Sequence, residues 1–188
     1  DKYLSSGDVV FCECELFKKY VHCGNVLYWA IDRECLPMNP YLSENELQFC
    51  YLGSINNIID IPRITAFLRE CSAHKKCTLH IIGDGENKEY FIQEVLCVVG
   101  LTMKSLDYMC AGLPIINTIK GDTKDFCEEW DIGFNLKKSN IKEVAERVCS
   151  ESMDVQLQRR KNIQNLYNTY FTTKKFNATL DEALNRIF

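Results

Sequence analysis

No apolar stretch in this chain approaches the roughly 20 residues that a bilayer-spanning helix needs. Its first residues lack the charged-then-apolar pattern of a secretory signal as well. A cytoplasmic protein is therefore expected, with a peripheral place at the inner face of a membrane left open. A basic excess is also missing. The 22 Lys and Arg stand against 26 Asp and Glu, a net charge of −4, which argues against nucleic acid as a partner and against a polybasic lipid anchor. Histidines number 3 (His22, His74 and His80) and make no recognisable triad with a Ser or Cys nucleophile. His74, at the end of a lysine-rich helix, reads as surface, and His80, alternating within a strand, reads as structural. Repeats and low-complexity tracts are absent. So is zinc-site spacing: Cys12-Glu13-Cys14 and Cys71…Cys77 have no second pair at the right interval, and no metal is expected.

What is present is a well-cored chain. With 188 residues, 46% of them hydrophobic, it suffices for one domain with a fragment of another attached. Its 11 cysteines are odd in number, and most sit inside apolar runs, as at Cys50, Cys97, Cys110 and Cys149. There a reduced thiol behaves as a small hydrophobe.

The stretch from Gly100 to Ile116 organises the rest. Thr102 is placed as an N-cap, and Met103, Leu106, Met109 and Cys110 recur at helical spacing. Ala111-Gly112 before Pro114 stops the helix at a left-handed turn, ahead of a buried strand. The open amides of such a helix start attract a phosphate. Any α/β domain contains a helix of this kind, and on spacing alone that plain reading stays ahead.

Along the chain, Asp8–Cys12 and Val26–Ala30 read as short strands with a brief helix over 15–20 between them. The turn-rich Leu36–Pro40 and polar Ser43–Glu46 make the best linker, so a boundary is set near residue 45. From Leu47 the pattern turns regular. A strand over 47–52 is followed by a helix over 60–74, a strand over 77–82, the turn Gly83-Asp84-Gly85 and a helix over 87–93. After the organising helix come a strand over 113–116, a helix over 123–130, a strand over 133–136 and a helix over 141–150. Alternation of this kind implies a parallel sheet with helices on both faces. Helices over 155–170 and 174–187 close the chain, with Arg159-Arg160-Lys161 taken as a solvated face. One junction is anomalous: a helix ending near Glu94 would enter the strand Val95–Val99 without a loop, although such connections take about 2–6 residues. The spacing predicts a break in the chain within residues 91–99, or else the genuine deletion of one βα unit.

Lys104-Ser105-Leu106-Asp107-Tyr108-Met109-Cys110-Ala111-Gly112-Leu113-Pro114-Ile115-Ile116 resembles the segment K-l-l-E-Y-m-a-a-G-l-P-v-i of the donor-binding, C-terminal domain in GT-B glycosyltransferases of family 4, the group 1 type. Two further loops are similar to that family's in order and spacing. Tyr51-Leu52-Gly53-Ser54-Ile55 resembles y-v-G-r-l, and Ile81-Ile82-Gly83-Asp84-Gly85 resembles i-i-G-d-G. The likeness runs over about residues 47–185. It implies a Rossmann-like sheet followed by C-terminal helices, with residues 1–45 the remnant of an acceptor-side domain and linker and residues 46–188 the nucleotide-sugar domain. In that interval before the organising helix the family has a further strand and helix.

The resemblance also implies roles. The donor is held by Gly53, Ser54, Gly83, Gly85, Thr102, Lys104, Asp107 and Gly121, with the carboxylate of Asp107 on the ribose hydroxyls. Asp stands there where Glu is usual, which shortens the reach by one methylene. The family's Arg after the first glycine and Lys soon after it are replaced by Ser54 and the uncharged run Asn56–Ile59, so donor phosphate is left to Lys104, the helix start, Arg63 or Lys120. Gly121 in Lys120-Gly121-Asp122-Thr123 corresponds to the glycine loop under the diphosphate, whereas Asp122 or Thr123 reads more simply as an N-cap. The sugar-contacting Glu that the family carries eight positions before the ribose carboxylate is Val99 here, and the catalytic residues are left unassigned. The function implied is transfer of a hexose-type residue from a nucleoside diphosphate sugar, UDP-sugar being the expected donor, to a hydroxyl of a glycan or lipid-linked acceptor. Retention of configuration, independence of metal, and a place in bacterial surface polysaccharide or glycoconjugate synthesis come with the resemblance. A homo-oligomer is one form left open. A nucleotide-sugar epimerase of the same fold and a non-catalytic GT-B-like partner subunit are the alternatives.

Overall fold

A computed structural model describes residues 10–15, 17–18, 25–37, 45–54, 60–85, 103–118 and 121–185, with Met103 and Lys104 described by backbone alone. The junction at 91–99, the linker over 38–44 and Thr102 fall outside these residues.

β1 (Phe11–Cys12) and β2 (Asn25–Val26) form a short parallel pair. The regular part of the chain begins with β3 (Glu46–Leu52), which pairs in parallel with β4 (Lys76–Ile82) from Glu46 opposite Lys76 to Leu52 opposite Ile82. Charge marks the first rung. Lys76 lies 3.0 Å from the Glu46 carboxylate, which also accepts a hydrogen bond from the Thr78 hydroxyl. The intervening helix α1 (Ile61–Ser72) starts where Asp60 accepts the backbone N–H of Arg63 and Pro62 occupies the first turn, a position that has no amide partner to lose. Phe67 and Cys71 on its inner face are fully buried, and the Phe67 ring meets that of Phe49 on β3 edge-on at 5.6 Å.

The organising segment forms α2 (Met103–Cys110) and β5 (Ile115–Asn117). Its stop follows the expected chemistry: Gly112 takes φ 64°, Leu113 N–H donates to Tyr108 O at 2.9 Å, and Gly112 N–H donates to Met109 O at 3.0 Å. These two bonds close the last turn and only a residue without a Cβ adopts that φ freely. β6 (Gly133–Asn135) lies parallel to β5, reached through α3 (Asp122–Glu129), and α4 (Ile141–Ser150) follows. Alternation of side chains along β5 divides the domain. Ile115 belongs to a core built with Leu106 and Met109 of α2 and Phe126 and Cys127 of α3, whereas Ile116 packs on the other face with Phe67, Phe134, Val144 and Leu47. Helices therefore cover both faces of parallel strands. Among the described residues these strands make three parallel pairs. β3 meets the α2–β5 unit through side chains, because the N–H of Leu52 is taken by the Tyr108 hydroxyl at 2.6 Å.

Helices α5 (Met153–Tyr170) and α6 (Thr173–Leu184) close the chain, capped by the hydroxyls of Ser152 and Thr172. The expectation that Arg159–Lys161 form a solvated face holds at Lys161, which is exposed, and fails at Arg159, with Arg160 half-buried. Arg159 shares the inward stripe of α5 with Ile163 and Leu166, is 3% exposed, pairs with Glu151 and with Asp131 at 3.1 Å, and stacks 4.5 Å above the Phe134 ring. Arg160 donates to the carbonyl of Gly112 at 3.1 Å.

The strand expected over 26–30 stops at Val26, and residues 27–37 run on as a strap. Ile31 N–H donates to Phe171 O at 3.3 Å, Leu36 N–H donates to Cys110 O at 3.0 Å, and Gln164 donates to Leu36 O at 2.8 Å. Tyr28 sinks its ring among Phe126, Tyr170 and Phe171 at 5.5–5.9 Å. Among the described residues no helix is long and apolar enough to cross a membrane.

Candidate nucleotide site

Parallel strands end together, so loops that follow their carboxyl ends share an edge, and in open α/β folds that edge collects ligands. Here β3 and β4 deliver Gly53-Ser54 and Gly83-Asp84-Gly85 side by side. Gly53 N–H donates to Ile82 O at 2.8 Å, and a Cβ on Gly83 would fall 1.9 Å from the Gly53 carbonyl oxygen. Only glycine fits position 83, because the two backbones touch. The Tyr51 hydroxyl fixes the outgoing chain by donating to Ser54 O at 2.7 Å, and Gly85 N–H donates to the Asp84 carboxylate at 2.9 Å.

The contact between Tyr108 and Leu52 brings α2 to this same edge. Asp107, the preceding residue on α2, points about 100° around the helix from Tyr108. Its side chain is 32% exposed, and its Oδ1 accepts a hydrogen bond from Arg33 Nη1 at 2.8 Å. Lys104 lies in the first turn of α2, one helical turn before Asp107.

Gly121, at φ 100°, is the N-cap of α3, with its carbonyl accepting Lys124 N–H at 2.8 Å. Neither Asp122 nor Thr123 caps that helix, in contrast to expectation. Asp122 is buried and turns away, accepting Glu15 N–H at 2.8 Å and the Tyr28 hydroxyl at 3.0 Å. This helix start thus carries two carboxylates, Asp122 and Asp125, which already answer its dipole. Burial first, then the Asp122 charge, holds the Tyr28 phenol protonated far above its ordinary range.

Arg63, one of the cations considered for donor phosphate, is engaged elsewhere. It pairs with Asp60 and donates to Thr118 O at 3.0 Å and Leu136 O at 3.3 Å. Those carbonyls lie just past β5 and β6, so Arg63 ties the carboxyl ends of these two strands to the start of α1. Asn117 and Asn135 add a second brace, Nδ2 of the first donating to Oδ1 of the second at 2.7 Å, while Asn135 donates in turn to Lys124 O at 3.0 Å. Sequence reasoning missed this pair. Its signal was the matching Asn at the end of two short strands, Ile-Ile-Asn and Gly-Phe-Asn.

The glycine turns and the Asp107 helix are therefore brought together by direct contacts, and Gly121 follows the carboxyl end of β5. The side chain of Lys104, and all of Thr102 and Lys120, lie outside the described residues. Among the described residues no group of His, Cys, Asp or Glu is placed to hold a metal. Desolvation pushes the Cys127 thiol up to about 12, and burial raises Cys71 and Cys149 as well.

No protein-family model matches the chain, and no curated protein does. Solved structures do. S. aureus TarM, a GT-B glycosyltransferase, superposes with a TM-score of 0.64 at 12% identity as a mutant in complex with Fondaparinux, alpha-GlcNAc-glycerol and UDP. A second structure of TarM gives a TM-score of 0.58 at 14% identity. The fold is of the GT-B type. In both comparisons 95% of this chain is covered, against 43% of the TarM chain, so the chain spans less than half the length of the structures it matches.

Proposed function

We propose that this chain is the donor-nucleotide half of a GT-B glycosyltransferase that moves a sugar from a nucleoside diphosphate sugar to an acceptor hydroxyl. The observation that carries the reading is the meeting of Gly53 and Gly83 at the carboxyl edge of β3 and β4, with the Asp107 helix tied to that edge through Tyr108 and Leu52. Gly53, Ser54, Gly83 and Gly85 let a nucleotide approach bare backbone. Asp107 is assigned the ribose hydroxyls, and the diphosphate is assigned to Thr102, Lys104 and the amides opening α2. As the glycosidic bond opens, negative charge grows on the leaving diphosphate, and amides and cations fixed in advance stabilise it. UDP is the proposed nucleotide, supported by the UDP complex of TarM. Retention, metal independence, a glycan or lipid-linked acceptor and a role in bacterial surface polysaccharide or glycoconjugate synthesis belong to the same proposal. Residues 1–45 would be the acceptor-side remnant, with the strap over 27–37 its docked end.

A second reading has its own support. Ser54 replaces a cation, and the start of α3 carries Asp122 and Asp125 where Gly121 would meet a diphosphate. Both features suit a non-catalytic partner subunit. Calorimetric titration of the chain with UDP, GDP, ADP and their sugars separates the two. The donor-domain reading predicts saturable binding of one of the three bases in the micromolar to millimolar range, about −8 to −4 kcal/mol. No binding by any of them favours the partner subunit.

A further inference from the structure

The ion pair between Arg33 and Asp107 joins the strap to the ribose carboxylate across 74 residues of sequence. The backbone around Arg33 is pinned. Its own carbonyl accepts the Tyr167 hydroxyl at 2.9 Å, the Glu34 carbonyl accepts the Cys110 thiol at 3.1 Å, and Leu36 N–H donates to Cys110 O at 3.0 Å. The Arg33 side chain, in contrast, is 68% exposed. A pair this open to water holds a fold together by at most about 1 kcal/mol, so bracing explains little of it.

Both partners keep unused capacity. Among the described residues Asp107 Oδ2 accepts nothing, and Nε and Nη2 of Arg33 donate to nothing. The pair thus presents a free carboxylate oxygen beside free guanidinium N–H groups. A ribose diol brings hydroxyl donors and a diphosphate brings anionic acceptors, which is the complementary set. The neighbouring Gly53 loop lacks a cation at Ser54, and Arg63 is spent on Asp60, Thr118 and Leu136. Asp107 lies four residues into α2 from Met103, about 6 Å along the axis from the amides that open the helix. A guanidinium resting on Asp107 therefore stands about one helical turn from those amides.

We infer that Arg33 is a donor-binding residue: its guanidinium takes the diphosphate of the nucleotide whose ribose Asp107 holds, supplying from the strap the cation that the Gly53 loop lacks. The inference rests on the donor-site reading. It differs from a simple plug, in which Arg33 would only compete with ribose for Asp107.

The test titrates the full chain, Arg33→Ala and Arg33→Lys with UDP, GDP and ADP by calorimetry. The matching nucleosides uridine, guanosine and adenosine are titrated by ligand-observed NMR, which reads millimolar affinities. For the base that binds, Arg33→Ala is expected to lose tenfold or more in diphosphate affinity, to keep nucleoside affinity within twofold, and to show a shallower dependence on salt. Arg33→Lys is expected to recover part of the loss. Because the side chain is exposed, the thermal transition of both variants should match the parent. A rise in nucleoside and diphosphate affinity by the same factor would make Arg33 a plug, and unchanged diphosphate affinity would remove it from the site; either result overturns the inference alone. Failure of the parent chain to bind any of the three diphosphates would bring down the donor-site reading, and this inference with it.

Discussion

The hydroxyl of Tyr108 accepts the backbone N–H of Leu52 at 2.6 Å, and that contact joins the Asp107 helix to the end of the strand that carries Gly53. Tyr108→Phe keeps the ring and removes the acceptor, leaving a partly buried backbone donor without this bond. A loss of about 1–3 kcal/mol is expected in denaturant unfolding. Nucleotide affinity should fall with it, since the helix is then free to shift against the Gly53 turn. Unchanged stability with unchanged affinity would show that the bond positions nothing.

Arg159 is expected to behave as a buried ion-pair centre. Arg159→Met fills much of the same volume over the Phe134 ring but strands the Glu151 carboxylate, which is 14% exposed. Breaking a buried pair from one side costs about 3–5 kcal/mol, and chemical denaturation should report a loss on that scale. The double variant Arg159→Met with Glu151→Leu should recover much of it, since the carboxylate then left without Arg159, Asp131, is 55% exposed and stays solvated.

The elements that were legible in the sequence are those whose signal is local. The left-handed stop at Gly112, the glycine turns at 53 and 83, and the alternation of strand and helix from residue 47 each rest on short spacing or on one residue's conformational freedom. Arg159 was misread because a run of three cations looks the same whether it faces water or core, and Asp131, one of its partners, lies 28 residues away. Asp122 was misread for the same reason: a carboxylate opening a helix is usually a cap, and nothing local announces that Glu15 and Tyr28 will claim it. The strap depends on contacts with α2, α3, α5 and Phe171 that no local pattern of the first 40 residues encodes.

Alkaline pH should weaken the fold through its buried thiols. Burial raises Cys127 from the ordinary thiol value of 9.0 to about 12, and Cys71 and Cys149 are raised by the same cause. A group whose folded pKa lies above its unfolded one gives stability that is full below the unfolded value and is lost as pH rises towards the folded one. Unfolding free energy should therefore hold up to about pH 9 and fall between there and pH 12. Cys127→Ala should flatten part of that decline, as read by denaturant titrations at several pH values. A curve equally steep in the variant would exclude Cys127 as a contributor.

The ribose role of Asp107 is the claim on which the donor site most depends, and affinity of the Asp107→Ala variant tests it most directly. Two charge-assisted hydrogen bonds contribute up to roughly 1.5–3 kcal/mol each, and about 1.4 kcal/mol corresponds to one decade. Calorimetry with the nucleoside diphosphate that binds the parent chain should show at least a tenfold loss, with the thermal transition unchanged because the side chain is partly exposed. Affinity equal to the parent's, in a variant that melts at the parent's temperature, would contradict the ribose contact.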